Sequence, residues 1–249
     1  MARIQVVVAH PDDETFGTGS LLLQAATAGA ATSVVCATRG EAGEGDGDLG
    51  SVREAELRRA AAAMGVAEVS LLGYGDSGMA GDPDPGTLAA ADAESVRAHV
   101  RAAMRAFAPD VVVTLDASDS HRDHVVMRDA ALAAAADLGV PAVYLCCLPR
   151  SLMRRWADHM ALYRPELPYL DVDATAFGTP DDEITTVLDT SAQLGARIAA
   201  MALHASQTSP YDGLPDDLRD AFLGPTYLRR MAGDDDALLT DALGAGARP

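Results

Sequence analysis

Residues 4–14, with the sequence IQVVVAHPDDE, pass directly from an apolar run into an imidazole and three carboxylates. The apolar part, residues 4–9, predicts a buried β-strand. Ligands and catalytic groups collect at the carboxyl ends of the strands in a parallel α/β sheet. The charged residues that follow this strand therefore predict a functional site at its end.

Apolar runs and helical patterns continue to alternate along the chain. Further strands are predicted by the apolar runs at residues 32–37, 69–72, 111–115 and 142–147. The intervening helices are predicted at residues 17–28, 51–64, 89–107 and 124–138. Ser51, followed three residues later by Glu54, has the pattern of a capping box. This order predicts an α/β fold with a Rossmann-like, mostly parallel sheet and helices on both faces.

The C-terminal part departs from this alternation. Residues 150–182 interrupt the pattern and predict a cap near the site, residues 184–188 predict a late strand, and residues 191–204 predict a helix. A length of 249 residues fits one large α/β domain. We expect a single domain with a catalytic core at residues 1–148 and a small C-terminal cap region, with the late strand and helices, at residues 149–249.

The charge and hydropathy of the chain limit the kinds of molecule that it is expected to bind. The formal net charge is −18 and the chain contains no lysine, which argues against a nucleic acid or an anionic membrane as partner. No segment reaches the roughly 20 apolar residues of a membrane helix, and no signal-peptide pattern occurs. Cys36, Cys146 and Cys147 lie in or beside apolar runs and indicate buried free thiols. We expect a cytoplasmic protein with a small-molecule substrate; a homo-oligomer is compatible with the sequence.

A second cluster, His121-Arg122-Asp123-His124, follows the predicted strand at residues 111–115. Zinc hydrolases use about three protein ligands and one water, and mixed His/Asp sites also accept Fe²⁺ or other divalent metals. A lone His-x-x-His is usually incidental, and an acidic turn is common at a helix start. The occurrence of both clusters at strand ends of one sheet favours a metal site.

The spacing leaves the division of roles open. In the first cluster, Asp12 and Asp13 are neighbours, and one can bind metal while the other acts as general base. If His124 completes a His/Asp/His set with His10, His121 remains free to donate a proton or to stabilise an oxyanion. A neighbouring carboxylate can fix the tautomer of one imidazole.

Together the two clusters resemble the PIG-L/LmbE-like family of zinc-dependent de-N-acetylases. Further segments of the chain resemble that family at residues 38–43 (TRGEAG), 53–57 with 64–65, 72–79 (LGYGDSGM) and 204–207 (HASQ). The resemblance covers residues 4–148 and, more loosely, residues 190–207. One position departs from the mycothiol-pathway member, which has an aromatic residue where Asp119 stands here.

The resemblance implies a role for each residue of the two clusters. The implied zinc ligands are His10, Asp13 and His124. Asp12 is implied as the general base, and His121 as the acid or oxyanion-stabilising group, oriented by Asp123. Arg53 and Asp76 are implied to contact the sugar hydroxyls of a glucosaminyl substrate.

The expected activity is removal of an N-acetyl group from an N-acetylglucosaminyl-type substrate by zinc-activated water. Zinc polarises the amide and lowers the pKa of its water towards about 7. Asp12 takes the proton, the oxyanion forms between zinc and a protonated His121, and either residue protonates the leaving amine.

Three alternatives remain at this point. An amidase could cleave a mycothiol-type or secondary-metabolite glucosaminyl conjugate. A nucleotide-binding module is disfavoured because acidic residues stand where a Gly-x-Gly-x-x-Gly would bind pyrophosphate. A non-catalytic binding relative is disfavoured because all the implied ligands and the base are present.

Overall fold

The computed structural model describes residues 1–43, 47–79, 81–119, 121–165 and 177–244. The strands in these residues are β1 (Arg3–Val8), β2 (Ala31–Cys36), β3 (Glu68–Leu71), β4 (Val111–Leu115), β5 (Ala142–Cys147), β6 (Thr186–Asp189) and β7 (Pro225–Ala232). The helices are α1 (Asp13–Phe16), α2 (Gly19–Thr27), α3 (Leu49–Ala63), α4 (Ala93–Phe107), α5 (Arg122–Leu138), α6 (Arg150–Tyr163), α7 (Leu194–Met201), α8 (Asp216–Leu223) and α9 (Ala237–Ala242). Among these described helices, none has the length and apolar character required to cross a bilayer.

All the described strands belong to one sheet, in the order β3-β2-β1-β4-β5-β7-β6. The first five strands are parallel, and the chain reverses its direction of travel across the sheet between β1 and β4. In that central pair Ile4 lies opposite Val111, and Val7 lies opposite Thr114. The loops that leave β1 and β4 therefore emerge side by side at the switch point, where α/β sheets bind ligands.

Alternate residues of β1 enter two different cores. Ile4, Val6 and Val8 belong to the cluster that α2 and α7 help to form, whereas Val7 packs with α4 and α5 on the opposite face. These four side chains are fully buried. Burial on both faces explains the continuous apolar run, and the predicted Rossmann-like sheet with helices on both faces is confirmed.

The C-terminal part extends the same sheet. β7 pairs antiparallel with β5, and β6 pairs antiparallel with β7. The late strand predicted at residues 184–188 corresponds to β6. β7, whose arginine-containing sequence TYLRRM is half-buried, was not predicted. The division into a core at residues 1–148 and a cap at residues 149–249 stays a prediction.

The predicted cap at residues 150–182 lies partly outside the described residues. Its described part begins with α6, which packs with α8 and the residues after α7 in a third apolar cluster. Trp156 of α6 is buried, and its indole N–H donates to the carbonyl of Pro210 at 2.9 Å. This region therefore has an apolar cluster of its own beside the sheet.

Some helix boundaries differ from the predicted ones because other residues cap the helices. α3 is capped by Asp48, whose carboxylate accepts the N–H of Ser51 at 3.2 Å, so the predicted capping box at Ser51 is wrong. α4 is capped by Asp92 and begins after a 3₁₀ turn at Leu88–Ala90. α5 begins at Arg122 and is capped by His121.

Candidate metal centre and active site

The loop after β1 is closed by its own hydrogen bonds. Oδ2 of Asp13 accepts the backbone N–H of His10 at 2.8 Å and that of Ala9 at 3.2 Å. Asp13 is also the first residue of α1, so the helix start fixes its backbone. His10, which is 6% exposed, is thereby buried beside the Asp13 carboxylate.

His124, in the first turn of α5, completes a triangle with this loop. Its Nε2 lies 3.2 Å from Nδ1 of His10 and 3.4 Å from Oδ2 of Asp13. Nδ1 of His10 lies 3.6 Å from the same Asp13 oxygen. The fold thus brings together the three residues that were expected to bind zinc.

The triangle has the dimensions of one face of a tetrahedral metal site. With metal–ligand bonds of about 2.0–2.1 Å, the ligand atoms of such a site lie about 3.3–3.4 Å apart. Two imidazole nitrogens and a carboxylate oxygen form a donor set that zinc and other divalent cations accept. The residues present therefore fit a divalent metal.

Each candidate imidazole ligand also has a carboxylate on its other nitrogen. Nε2 of His10 lies 3.2 Å from Asp123 and 3.5 Å from Asp76. Nδ1 of His124 lies 2.6 Å from Asp119. Carboxylates in this position fix the tautomer and the orientation of metal-binding histidines, so both imidazoles are pre-oriented towards the triangle.

The carboxylate of Asp123 does not orient His121 in the way the sequence analysis expected. It lies against His10 and accepts the backbone N–H of Ser77 at 3.0 Å. The contact with His121 comes instead from the backbone of Asp123, whose N–H donates to Nδ1 of His121 at 3.2 Å. The reason is that His121 is the N-cap of α5, and its ring satisfies a free N–H of the first turn.

This capping bond determines the state of His121. Because Nδ1 accepts a hydrogen bond, the proton of the neutral ring is on Nε2. Burial and the neighbouring His10 and His124 lower the pKa of His121 to about 4. His121 is therefore a neutral donor in the free site, a form different from the protonated imidazole expected for the reaction.

Asp12 lies beside the triangle with an unusual backbone. Its φ is +112°, a region that non-glycine residues rarely occupy. Its carboxylate accepts a hydrogen bond from Arg53 at 3.0 Å. Burial and the charge of Asp13 raise the pKa of Asp12 to about 7, against the opposing charge of Arg53. A carboxylate with such a pKa suits proton transfer near neutral pH.

Arg53 and Asp76, the expected sugar contacts, both lie at the site. Arg53 is 5% exposed and donates to the carbonyls of Gly40 at 2.8 Å and Pro11 at 2.7 Å. The Asp76 side chain is 6% exposed and lies against His10. Both side chains thus have partners within the protein, and their contact with a sugar stays a prediction.

The charges around the triangle favour a cation. Burial lowers the pKa of His124, but Asp13 and Asp119 outweigh it and raise the value to about 10. The pKa of His10 is likewise raised, since its carboxylate neighbours outweigh burial. The free site therefore holds protons where a metal ion would bind, and the metal has to displace them.

Two features of this site were not predicted from the sequence. Asp119 was noted only as a departure from another family member, yet it holds His124. His204 is buried and bonds to Glu14, at 2.9 Å, deep beneath the β1 loop. The sequence signals were the position of Asp119 two residues before His121 and the isolated HASQ segment.

Comparison with known proteins adds independent sequence information. Residues 5–135 match the family profile described as PIG-L: GlcNAc-PI de-N-acetylase. A curated protein of Geodermatophilus obscurus, named 1D-myo-inositol 2-acetamido-2-deoxy-alpha-D-glucopyranoside deacetylase, is 34% identical over 272 aligned positions. The alignment covers 93% of this chain and 92% of the relative.

Two solved structures share the fold at low sequence identity. The N,N'-diacetylchitobiose deacetylase of Pyrococcus horikoshii is 18% identical, with a TM-score of 0.62 over 93% of this chain and 84% of that chain. The 4-carboxy-2-hydroxymuconate hydratase GalB of Pseudomonas putida is also 18% identical, with a TM-score of 0.65 over 94% and 98% of the two chains. The fold therefore occurs in both deacetylases and a hydratase, and the reaction has to be argued from the site.

Proposed function

The chain belongs to the PIG-L family of de-N-acetylases, and we propose that it is a metal-dependent hydrolase that removes the N-acetyl group from an N-acetylglucosaminyl-type compound. The observation that carries this proposal is the triangle of His10, Asp13 and His124 with Asp12 beside it. Three metal ligands and an adjacent general base are the parts that metal-assisted amide hydrolysis requires.

The donor set of two imidazoles and one carboxylate suits zinc, and Fe²⁺ is the alternative ion that the same donors accept. When bound, the ion supplies Lewis acidity towards the amide carbonyl and towards a water molecule. His10, Asp13 and His124 are the residues that would hold it. Asp123 and Asp119 keep the two imidazoles in the tautomers that this requires.

The remaining residues move or hold protons. Asp12, with its pKa raised to about 7, accepts the proton of the attacking water and can pass it to the leaving amine. Arg53 holds the Asp12 carboxylate in place through its 3.0 Å hydrogen bond. His121, neutral with its proton on Nε2, donates a hydrogen bond to the amide oxygen as that oxygen becomes negative.

The substrate class follows from the family and the named relative. An N-acetylglucosaminyl inositol is the first compound to test, because the Geodermatophilus obscurus relative is named for such a substrate. Arg53 and Asp76 are the side chains proposed to face the sugar hydroxyls. An amidase acting on a larger thiol conjugate is the competing reading, and the two differ in the acyl group that is released.

The test is acetate release after chelation and metal add-back. The chelated enzyme is supplied with Zn²⁺ or Fe²⁺ and given N-acetylglucosaminyl inositol, free N-acetylglucosamine or a bimane-type thiol conjugate. We expect metal-dependent acetate release from a glucosaminyl compound. Full activity of the chelated protein, or no acetate from any substrate, would contradict the proposal.

Two variants separate the roles of ligand and base. We expect Asp12→Ala to keep one metal ion per chain and to lose about 10²-fold or more in kcat. His124→Ala should lose the metal itself. Asp129→Ala, which changes an exposed acid of the same helix α5, is the matched control and should keep both metal and activity. Retained zinc in His124→Ala would move the ligand elsewhere.

A further inference from the structure

The backbone of Asp12 has an unfavourable conformation that requires a restraint from its surroundings. With φ of +112° and ψ of −33°, it lies in a region that residues with a Cβ rarely adopt, and such a conformation persists only when its surroundings enforce it. The direction of the Asp12 carboxylate depends on this backbone. Hydrogen bonds to the backbone of Asp12 can supply such a restraint.

The Asp12 carbonyl accepts the N–H groups of Thr15 and Phe16 at 2.9 and 2.7 Å, and its amide is restrained by a buried pair formed by Glu14 and His204. One oxygen of Glu14, Oε2, accepts the backbone N–H of Asp12 at 2.9 Å. The other, Oε1, lies 2.9 Å from Nε2 of His204. Glu14 is fully buried and His204 is 2% exposed. Since a buried carboxylate without partners is costly, His204 and the Thr15 hydroxyl, which both contact Oε1, determine where Glu14 stays and hence where the Asp12 amide is held.

The pair is separate from the candidate metal ligands. Besides bonding to each other, the side chains of Glu14 and His204 make described hydrogen bonds to Asp12 and Thr15, and these do not include the three ligand atoms of the triangle. His204 follows α7, and the pair joins residues 190 positions apart in the chain. A change at His204 can therefore alter Asp12 without removing a metal ligand.

We propose that Glu14 and His204 are positioning residues for Asp12. Through the Asp12 amide they hold the left-handed backbone that places its carboxylate between Arg53 and the metal site. This inference rests on the proposed function, in which Asp12 is the general base. The inference also gives the HASQ segment a role, because its His204 helps to restrain the loop after β1.

The experiment compares His204→Phe, His204→Gln and a matched control, Glu56→Gln. Glu56 holds the same segment by accepting from the backbone and hydroxyl of Ser206, at 3.0 and 2.6 Å, and it makes no described contact with Asp12. Glu56→Gln therefore loosens the segment without removing a hydrogen bond of the restraint. The measurements are kcat, KM, zinc affinity and the hydrogen-exchange rate of the Asp12 amide followed by NMR.

We expect His204→Phe to lower kcat about 10- to 100-fold, as misplacement of a catalytic group does, with KM and zinc affinity within about twofold. His204→Gln, whose amide N–H can still donate to Glu14, should recover most of that loss. Exchange of the Asp12 amide should be at least about tenfold faster in His204→Phe and unchanged in Glu56→Gln.

If His204→Phe does not fold, Glu14→Leu gives the same test. Leucine has no oxygen to offer to the Asp12 amide or to His204, so the same fall in kcat is expected. Equal kcat in the His204→Phe and Glu56→Gln variants, or loss of zinc in His204→Phe, would overturn the inference.

Failure of the proposed function is distinguishable from failure of this inference. A wild-type protein that releases no acetate contradicts the function, and the exchange rate of the Asp12 amide still tests the restraint. Unchanged protection of that amide in both His204→Phe and Glu14→Leu would overturn the restraint whatever the reaction is.

Discussion

His121 combines a local structural role with its proposed catalytic one. As the N-cap of α5 it accepts the N–H of Asp123, and the same bond leaves its Nε2 proton free to face a substrate. The low pKa of His121, about 4, keeps the ring neutral near pH 7. A neutral donor stabilises a developing oxyanion without adding a positive charge next to a bound cation.

Asp119 is predicted to raise metal affinity through His124. Its carboxylate lies 2.6 Å from Nδ1 of His124 and accepts the N–H of His121 at 3.0 Å. Asp119→Ala should therefore weaken zinc binding about 10- to 100-fold, the usual effect of removing such a partner. Competition with a chromogenic chelator measures this affinity directly.

Two further variants sharpen that measurement. Asp119→Asn keeps a hydrogen-bond acceptor and should lose less zinc affinity than Asp119→Ala. Asp129→Asn removes an exposed acid from α5 and controls for the loss of negative charge alone. Equal zinc affinity in Asp119→Ala and Asp129→Asn would exclude the positioning role of Asp119.

Arg53 is predicted to determine the pH at which Asp12 becomes basic. The pKa of Asp12, about 7, is the balance of burial and Asp13, which raise it, and the positive charge of Arg53, which lowers it. In Arg53→Gln the pKa of Asp12 rises further, so the ionised base forms only at higher pH. The acid limb of kcat/KM against pH should move up by about 1 unit or more.

Arg53→Lys is the matched comparison, because lysine keeps the charge but loses the forked hydrogen bonds to Pro11 and Asp12. Its acid limb should lie closer to that of the wild type, with a lower kcat. An acid limb that stays in place in Arg53→Gln would rule out Asp12 as the group responsible for it.

The loop between β2 and α3 is shaped around Arg53. Gly40 has φ of +70°, and a Cβ at this position would overlap the Arg53 guanidinium. Gly40→Ala should lose about 1–2 kcal/mol of folding free energy from its backbone and about 1–3 kcal/mol from the overlap. It should also lower kcat, because Arg53 is displaced from Asp12.

Gly73→Ala separates these two effects. Gly73 has φ of +82° with no atom within 4 Å of the added Cβ, so only the backbone cost applies. Urea unfolding and kcat are measured for both variants. A Gly73→Ala variant that loses as much stability and activity as Gly40→Ala would contradict the proposed overlap.

Among the helices and strands, the sequence predicted the alternating pattern of strands and helices. It did not predict the residues that cap the helices or the strand with a half-exposed face. Strands β1, β2, β4 and β5 were found because both faces are buried and their residues are mostly apolar, and the partly exposed β3 was found from its short apolar run. β7 was missed because an antiparallel strand with a half-exposed face contains arginines. Helix starts shifted because Asp48, Asp92 and His121 supply the caps, and capping depends on local backbone geometry.

The candidate site was predicted in part for the same reason. His10, Asp13 and His124 meet because each follows a strand, and strand ends can be read from apolar runs. The contacts of Asp119 with His124 and of Glu14 with His204 join atoms whose distance no spacing rule gives. Side-chain partners of this kind depend on loop conformation and tertiary packing.

For the whole molecule, the gain in stability from zinc is predicted to grow with pH. The raised pKa of His124, about 10, means that its protonated form stabilises the apoprotein fully below about pH 6.5. That contribution is lost as pH rises through about 10, while fewer protons compete with zinc for the imidazole. The increase in Tm on adding zinc should therefore be larger at about pH 8.5 than at about pH 6.5.

Differential scanning fluorimetry at both pH values measures this increase. His124→Ala is the control, since a protein without the site gains nothing specific from zinc at either pH. A zinc-induced rise in Tm that is smaller at the higher pH would contradict the sign derived from the histidine pKa.

Because the proposed metal ligands follow β1 and β4, metal binding during refolding would report when these two strands pair. The Thr114 hydroxyl donates to the carbonyl of Val7, 107 residues away, and a slip of one residue would turn every side chain of the strand to the other face. As proposed ligands of one metal ion, His10 and His124 can bind it together only after this distant pair has formed in register. Cobalt absorbance during refolding would time that slow, non-local step directly, without any label attached to the chain.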